Sequence, residues 1–281
     1  MTDRRGTFWL LSLPPLLWLS AFFLVPLGLM AAFSFRTGIR PGAEWGLDQY
    51  ISLFGVGSYW RLLGISVLIA LAIAVAATLL AYPIAYFLVF RAGPRAGLYL
   101  LLLLIPFWTS YLMRVMAWKF MLGSTGVLNS LFQYLGLIDE PLTFLLYNRF
   151  AVILTLIYVW IPFVALPILA SLHRIDFPVL EAAFDLGATP IRRFRRVTFP
   201  LSLPGVLAGF FIVFIPTVGE YVTPLLVGGS RGSMYGNIIQ DFFTKAANWP
   251  FGSALSIVML VITFLLIILA VRFVDLQRLL E

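Results

Sequence analysis

Residues 62–90 read LLGISVLIALAIAVAATLLAYPIAYFLVF, a run without a single charged side chain. A charge at the middle of a bilayer costs at least about 2.5–3.5 kcal/mol, and about 20 apolar residues in a helix cross the hydrocarbon core. The run therefore reads as a membrane-spanning helix. Working outward, the other charge-free runs of comparable length are 6–35, 96–113, 120–138, 150–172, 197–219 and 246–271. Across the 281 residues, 62% are hydrophobic and 11% charged, whereas a water-soluble domain has about 45–50% and about 25%. Such a chain cannot cover itself with a solvated surface.

The run 120–138, FMLGSTGVLNSLFQYLGLI, differs from the rest in carrying Gly, Ser, Thr, Asn and Gln through its middle. It reads as a partly buried segment at the membrane surface. The other six give an all-α membrane protein whose spans lie at approximately 9–35, 62–90, 96–115, 150–171, 198–219 and 251–271, in one membrane domain covering 1–281. The first run is too long for a secretory signal and has no small-residue cleavage site, so it reads as a retained first helix. Pro14, Pro15 and Pro26 within it predict kinks or a late start, because each removes a backbone donor.

Orientation follows from lysine and arginine density. With six spans, one side holds Arg4, Arg5, Arg91, Arg95, Arg174, Arg192, Arg193, Arg195, Arg196, Arg272 and Arg278, set against Asp3, Asp176, Glu181, Asp185, Asp275 and Glu281. The other holds Arg36, Arg40, Arg61, Arg114, Lys119, Arg149, Arg231 and Lys245, spread over nearly twice the length. The denser side is expected to be cytoplasmic, with both termini on it. A seventh span at 120–138 would put the arginine-rich 173–196 stretch outside.

That loop is the most informative part of the chain. Residues 172–205 read LHRIDFPVLEAAFDLGATPIRRFRRVTFPLSLPG. Pro178 suits a first helical turn, Gly187 permits the left-handed conformation that ends a helix, and Thr189-Pro190 is an N-cap and first-turn signature for the next. Leu180, Ala183, Phe184 and Gly187 share one face of the first helix. Arg192, Arg193, Arg195 and Arg196 are expected to anchor the start of the fifth span at anionic headgroups.

The pattern Glu181-Ala182-Ala183, three residues, Gly187, nine residues, then Val197-x-Phe199-Pro200 resembles the EAA loop of bacterial ABC-importer permeases, with Val197 and Phe199 in place of the usual Ile and Leu. The resemblance implies a type I permease fold in the bacterial inner membrane, with 172–198 as the cytoplasmic coupling loop. It implies that Glu181, Ala182, Ala183 and Gly187 are the contact and turn positions facing an ATPase subunit. Small residues there would admit the partner, and Glu181 could pair with a basic group on it. The implied assembly is a second homologous permease, two ATPase subunits that bind ATP and Mg, and a periplasmic substrate-binding protein.

Further along, Gly219-Glu220-Tyr221-Val222-Thr223-Pro224, Gly228-Gly229, Met234-x-Gly236-Asn237-x-Ile239 and Asn248-Trp249-Pro250-Phe251-Gly252 are similar to PotB-type permeases of spermidine/putrescine importers. This implies a polyamine, or a related organic cation or opine, as substrate. An ammonium substrate needs carboxylates or aromatic faces to offset lost hydration. Glu220 and Tyr221, with Asp241 and Trp249, are the candidate path residues. The competing reading of Glu220 is a lid-loop carboxylate paired with Arg231 or Lys245. Pro83, Pro106, Pro162, Pro167 and Pro216 interrupt apolar spans, and Gly205 with Gly209 forms a small-xxx-small pair suited to close helix contact.

Several chemistries are disfavoured. The chain contains no cysteine and one histidine, His173, so thiol chemistry is absent and no metal site is expected. Gly228-x-Ser230-x-Gly232 matches a nucleophile elbow, but the predicted topology separates it from His173 by the membrane. Lys119 and Lys245 are followed by Phe120 and Ala246, so no Walker A lysine exists; no catalytic residue and no resident cofactor are expected. The net charge of +7 is split between two membrane faces, unlike that of a nucleic-acid binder. An ion-gradient-driven secondary transporter or channel is the alternative, and the six runs lack the mid-span charges it would need. Reporters fused at positions 93 and 235 are expected to report the cytoplasm and the periplasm respectively; a cytoplasmic signal at 235 would overturn the six-span order.

Overall fold

The computed structural model describes residues 4–40 and 42–273. Asp3, Asp275, Arg278, Glu281 and the extreme termini lie outside the described residues. Regular structure within them is helical, apart from one antiparallel bridge between Arg36 and Trp45. Five helical stretches are long and apolar enough to cross a membrane: Leu11–Ser34, Gly57–Phe90, Arg149–His173, Pro190–Val218 and Trp249–Arg272. Gly93–Trp108 and Tyr111–Tyr134, a pair bent by 90°, are together long and apolar enough for a sixth crossing if the pair counts as one span. The expected all-helical membrane fold is present, with five candidate spans, or six with the bent pair taken as one.

The first crossing is α1 (Arg4–Leu19), a wide turn at Ser20–Leu24, and α2 (Val25–Ser34). Pro14 and Pro15 are accommodated inside α1, and the irregularity falls just ahead of Pro26. A proline ring collides with the carbonyl four residues back, and inserting one residue into the turn relieves the collision. Accordingly the Val25 amide donates to the Ser20 carbonyl, five residues earlier. The same solution recurs before Pro200, where the Phe199 amide donates to the Phe194 carbonyl.

Next come α3 (Asp48–Gly55), α4 (Gly57–Phe90), α5 (Ala96–Leu104), α6 (Tyr111–Leu122), α7 (Val127–Tyr134), α8 (Arg149–His173), α9 (Phe177–Asp185), α10 (Pro190–Arg193), α11 (Phe199–Val218), α12 (Tyr235–Thr244) and α13 (Trp249–Phe273). The third expected span, 96–115, is interrupted. After Pro106 the Thr109 hydroxyl donates to the Pro106 carbonyl at 2.7 Å. Thr109 and Ser110 are extended, with ψ of 148° and 142°, so Tyr111 onward leaves in a new direction. The segment 120–138 holds the end of α6, a tight turn and α7. Buried Asn129 ties it down, donating to the Gly123 carbonyl at 2.9 Å and accepting from the Leu142 amide at 2.7 Å.

The chain divides into two compact units. In the unit comprising 1–60 and 238–262, buried Ser34 bonds the Tyr50 hydroxyl at 2.7 Å, and Tyr59, Phe242 and Phe251 form an aromatic cluster. The unit comprising 61–237 and 263–281 is built with small residues inward. On α4, Ala70, Ala74, Ala77, Ala81 and Ala85 are fully buried, whereas Leu68, Leu79 and Leu80 are exposed. Lipid tails are as apolar as leucine, so large side chains lose nothing by facing them, and small ones let backbones approach.

Helices α8 and α11 pack antiparallel by this rule. A Cβ on Gly205 would lie 2.4 Å from the Pro167 carbonyl oxygen, and one on Gly209 would lie 2.9 Å from a Val164 methyl. The small-xxx-small pair is thus a packing contact. Gly205→Ala is expected to destabilise the fold by about 1–3 kcal/mol, the usual cost of overpacking. Gly64→Ala, at a helical site with open space around it, should not. Thermal unfolding in detergent reads both, and equal melting temperatures would remove Gly205 as a packing determinant.

Candidate coupling surface and pathway residues

Helix α9 begins after Asp176, with Pro178 in its first turn, and ends as the sequence predicts. Gly187 has φ of 75°, its amide donates to the Phe184 carbonyl at 2.8 Å, and the Ala188 amide reaches back to the Ala183 carbonyl at 3.1 Å. That pair of bonds is a Schellman closure. The next helix is capped by Thr189, whose hydroxyl oxygen accepts from the Arg192 amide at 3.4 Å. Its start at Pro190 runs through the wide turn at Phe194–Thr198 into α11, so the helix of the fifth span begins well before residue 198.

Only part of the expected α9 face packs inward. Leu180 is 8% exposed and Ala183 is half-buried, whereas Phe184 and Leu186 are 67% and 89% exposed. Glu181 and Ala182 are also exposed. Beneath the helix, Tyr86, Phe90, Arg91, Phe177, Leu180, Glu181, Arg193 and Thr198 line a cavity of about 260 Å³. Glu181 therefore has two basic neighbours within its own chain. An aromatic ladder joins α9 to the ends of α4 and α11: Phe177 to Phe90 at 6.4 Å, Phe90 to Tyr86 at 4.8 Å, Tyr86 to Phe194 at 6.0 Å, and Phe194 to Tyr82 at 5.7 Å. The sequence reading missed the ladder, because its members are scattered over more than a hundred positions; their shared aromatic character near loop ends was the available signal.

Glu220 lies just past the end of α11 and is half-buried. Its Oε1 accepts from the Val222 and Thr223 amides at 2.9 and 3.0 Å, so the carboxylate caps the turn that follows. Thr223 is buried and bonds the Tyr111 hydroxyl at 2.5 Å. That hydroxyl also interacts with Glu220 and feels the charge of Arg114. The motif residues build this loop. Asn237 donates to the Tyr221 carbonyl at 2.8 Å and accepts from the Met234 amide at 2.9 Å. A Cβ on Gly236 would lie 2.5 Å from the Gly219 carbonyl oxygen.

Tyr221 is exposed beside Glu220. Asp241 and Trp249 belong to the other compact unit. There Asp241 pairs with Lys245 at 2.8 Å, and Trp249 meets Phe243 edge-on at 6.2 Å between centroids. Lys245 is thus bonded to Asp241, and Glu220 has backbone amides as its partners. The Gly228-x-Ser230-x-Gly232 stretch is a tight loop in which a Cβ on Gly232 would lie 2.4 Å from the Gly228 backbone. Val227 in this loop accepts from the Tyr147 amide, just before α8 begins. His173 ends the same helix, about 37 Å away by helical rise. Sequence reasoning also missed a cavity of about 540 Å³ at the 109–110 break, lined by Thr109, Arg114, Trp118 and Tyr158 among others. There Arg114 lies over Phe107, and Trp118 packs on Tyr158 at 5.4 Å.

Comparison with known proteins places this geometry. Residues 4–278 match the family described as the binding-protein-dependent transport system inner membrane component. The chain belongs to that family and is a permease subunit of an importer of this kind. It is 35% identical over 256 residues to the spermidine/putrescine transport system permease protein PotB of Escherichia coli (strain K12), covering 89% of this chain and 92% of that one. Its identity to PotB of Haemophilus influenzae is 36% over 267 residues, covering 91% and 90%. In fold it is similar to a bacterial ABC transporter involved in import of the acidic polysaccharide alginate, with a TM-score of 0.74, 18% identity and 96% coverage of both chains.

Around Gly187 a Cβ meets nothing within 4 Å, so the left-handed φ alone demands glycine. Gly187→Ala is expected to cost about 1–2 kcal/mol in the closing turn, and Gly187→Asn less. Reconstituted uptake should fall in the order Gly, Asn, Ala while expression holds; equal uptake for all three would show that the turn does not set coupling.

Proposed function

We propose that this permease moves polyamines such as spermidine and putrescine inward, powered by ATP hydrolysis on two partner ATPase subunits that bind ATP and Mg. The observation that carries the substrate class is similarity over about nine-tenths of the chain to permeases named for spermidine and putrescine. The loop that bears the resemblance is tied together by its own motif residues, Asn237 holding Tyr221 and Gly236 lying against Gly219.

In this reading both termini face the cytoplasm, where α9 docks on an ATPase through Ala182, Ala183 and the exposed Phe184 and Leu186. Closure of the ATPases draws the coupling helices of this chain and a second homologous permease together, switching the pathway from inward-facing to outward-facing. A periplasmic binding protein, received on the loops 36–61, 114–149 and 220–245, hands substrate over. Resetting releases it inside. Glu220 and Tyr221 supply a carboxylate and an aromatic face to the ammonium groups, and Asp241 and Trp249 are the remaining candidate path residues. Exposed Phe184 and Leu186 support docking, since covering their apolar surface with a partner is favourable in proportion to the area removed from water.

Proteoliposomes holding the full assembly test this. They should take up spermidine or putrescine only with ATP and binding protein, and Glu220→Gln, which keeps an oxygen acceptor for the Val222 and Thr223 amides, should lower uptake at least tenfold with ATPase assembly intact. Wild-type uptake by that variant would remove Glu220 from the path. A binding protein that holds no amine would overturn the substrate class.

A further inference from the structure

The four arginines of the α10 region are divided by the structure. Arg193 turns toward the cavity that holds Arg91 and Glu181. Arg192, Arg195 and Arg196 line a separate cavity of about 490 Å³ together with Thr189 and Ile191. Their i, i+3, i+4 spacing sets them on one face, and all three are exposed. No carboxylate lines this cavity, and among the described residues none of the three has an acidic partner within ion-pair distance. Three positive charges thus converge uncompensated.

Depth identifies what they meet. Helix α11 ends at Val218, and the charge of Glu220 marks the polar boundary two residues on. Counting back from Val218 at 1.5 Å per residue puts Arg196 at about 33 Å and Arg192 at about 39 Å along the helix, or about 31 and 37 Å along the membrane normal at the usual tilt of about 20°, just beyond a hydrocarbon core of about 30 Å and within or at the edge of a headgroup layer about 5–7 Å deep. Apolar side chains accompany them: Ile191 lines the same cavity and is 73% exposed, and Phe199 and Leu201 are exposed farther along the helix. A free phosphate would satisfy the arginines and leave these uncovered. A phospholipid covers both.

We propose that Arg192, Arg195 and Arg196 form a binding site for the headgroup phosphate of an anionic phospholipid in the leaflet on the coupling-helix side. The bound lipid holds the start of the helix that follows the Gly187 turn, so lipid charge governs how firmly the coupling loop is seated. The leaflet assignment rests on the topology proposed above; the binding itself does not depend on substrate or ATPase.

The full chain, purified in detergent and titrated with phosphatidylglycerol against phosphatidylcholine, tests the site by native mass spectrometry. Each basic residue near a membrane surface contributes about fivefold in anionic-lipid binding. Arg195→Gln should therefore weaken phosphatidylglycerol retention about fivefold, and R192Q/R195Q/R196Q about a hundredfold. Arg40→Gln, on the opposite side of the predicted topology, should leave it unchanged. The single variant keeps the test usable if the triple variant does not fold. Retention unchanged in both arginine variants overturns the proposal, as does displacement by inorganic phosphate, which would mark a free-anion site. Loss of the ATPase subunit from the triple variant with lipid retention intact would also overturn it, reassigning the face to a protein partner.

Discussion

In a hydrocarbon solvent one leucine against another is no better placed than a leucine against lipid, so helices must be held by closeness of approach. The contact of Gly205 with the Pro167 carbonyl, where not even a methyl group fits, is that constraint at its tightest. It accounts for the alanine stripe inside α4 and the leucines outside it. It also positions the loops, because α8 and α11, fixed against each other, deliver the start of α9 at one end and Glu220 at the other.

What the sequence disclosed was governed by charge. Spans bounded by arginines or carboxylates were readable, since ionic groups mark where the apolar medium stops. The Gly187 turn and the Thr189 cap were readable too, because each depends on a local backbone property that few residue types supply. The 90° break at Thr109–Ser110 was hidden: no charge interrupts 96–113, and Pro106 looks like the prolines that the other helices absorb in place. Equally hidden was the continuity of α10 with α11. The arginines suggested a boundary, but helical hydrogen bonding continues through headgroups and water alike.

The candidate site was legible in its residues and less so in their roles. Glu220 was picked out as a charge at a span end, and the structure uses one of its oxygens to hold two backbone amides. Glu181 was expected to meet a partner's basic group, yet Arg91 and Arg193 of its own chain share its cavity. Asn237 and Gly236, noticed as parts of a motif, turn out to be the members that close the loop around Tyr221. A motif records residue types, whereas hydrogen bonds to a backbone carbonyl depend on a fold that brings distant segments together.

The continuous helix Pro190–Val218 is about 43 Å long, with one end beside the Gly187 turn and the other beside Glu220. It is a lever. Tilting such a rod by about 10° about one end swings the other through about 7 Å, more than one helical turn. In the proposed transport cycle the bonded closure at Gly187 keeps the joint at the driven end from folding up under load. The wide turn at Phe194–Thr198 lies close to that joint, where any bending costs the far end the least precision in where it is delivered.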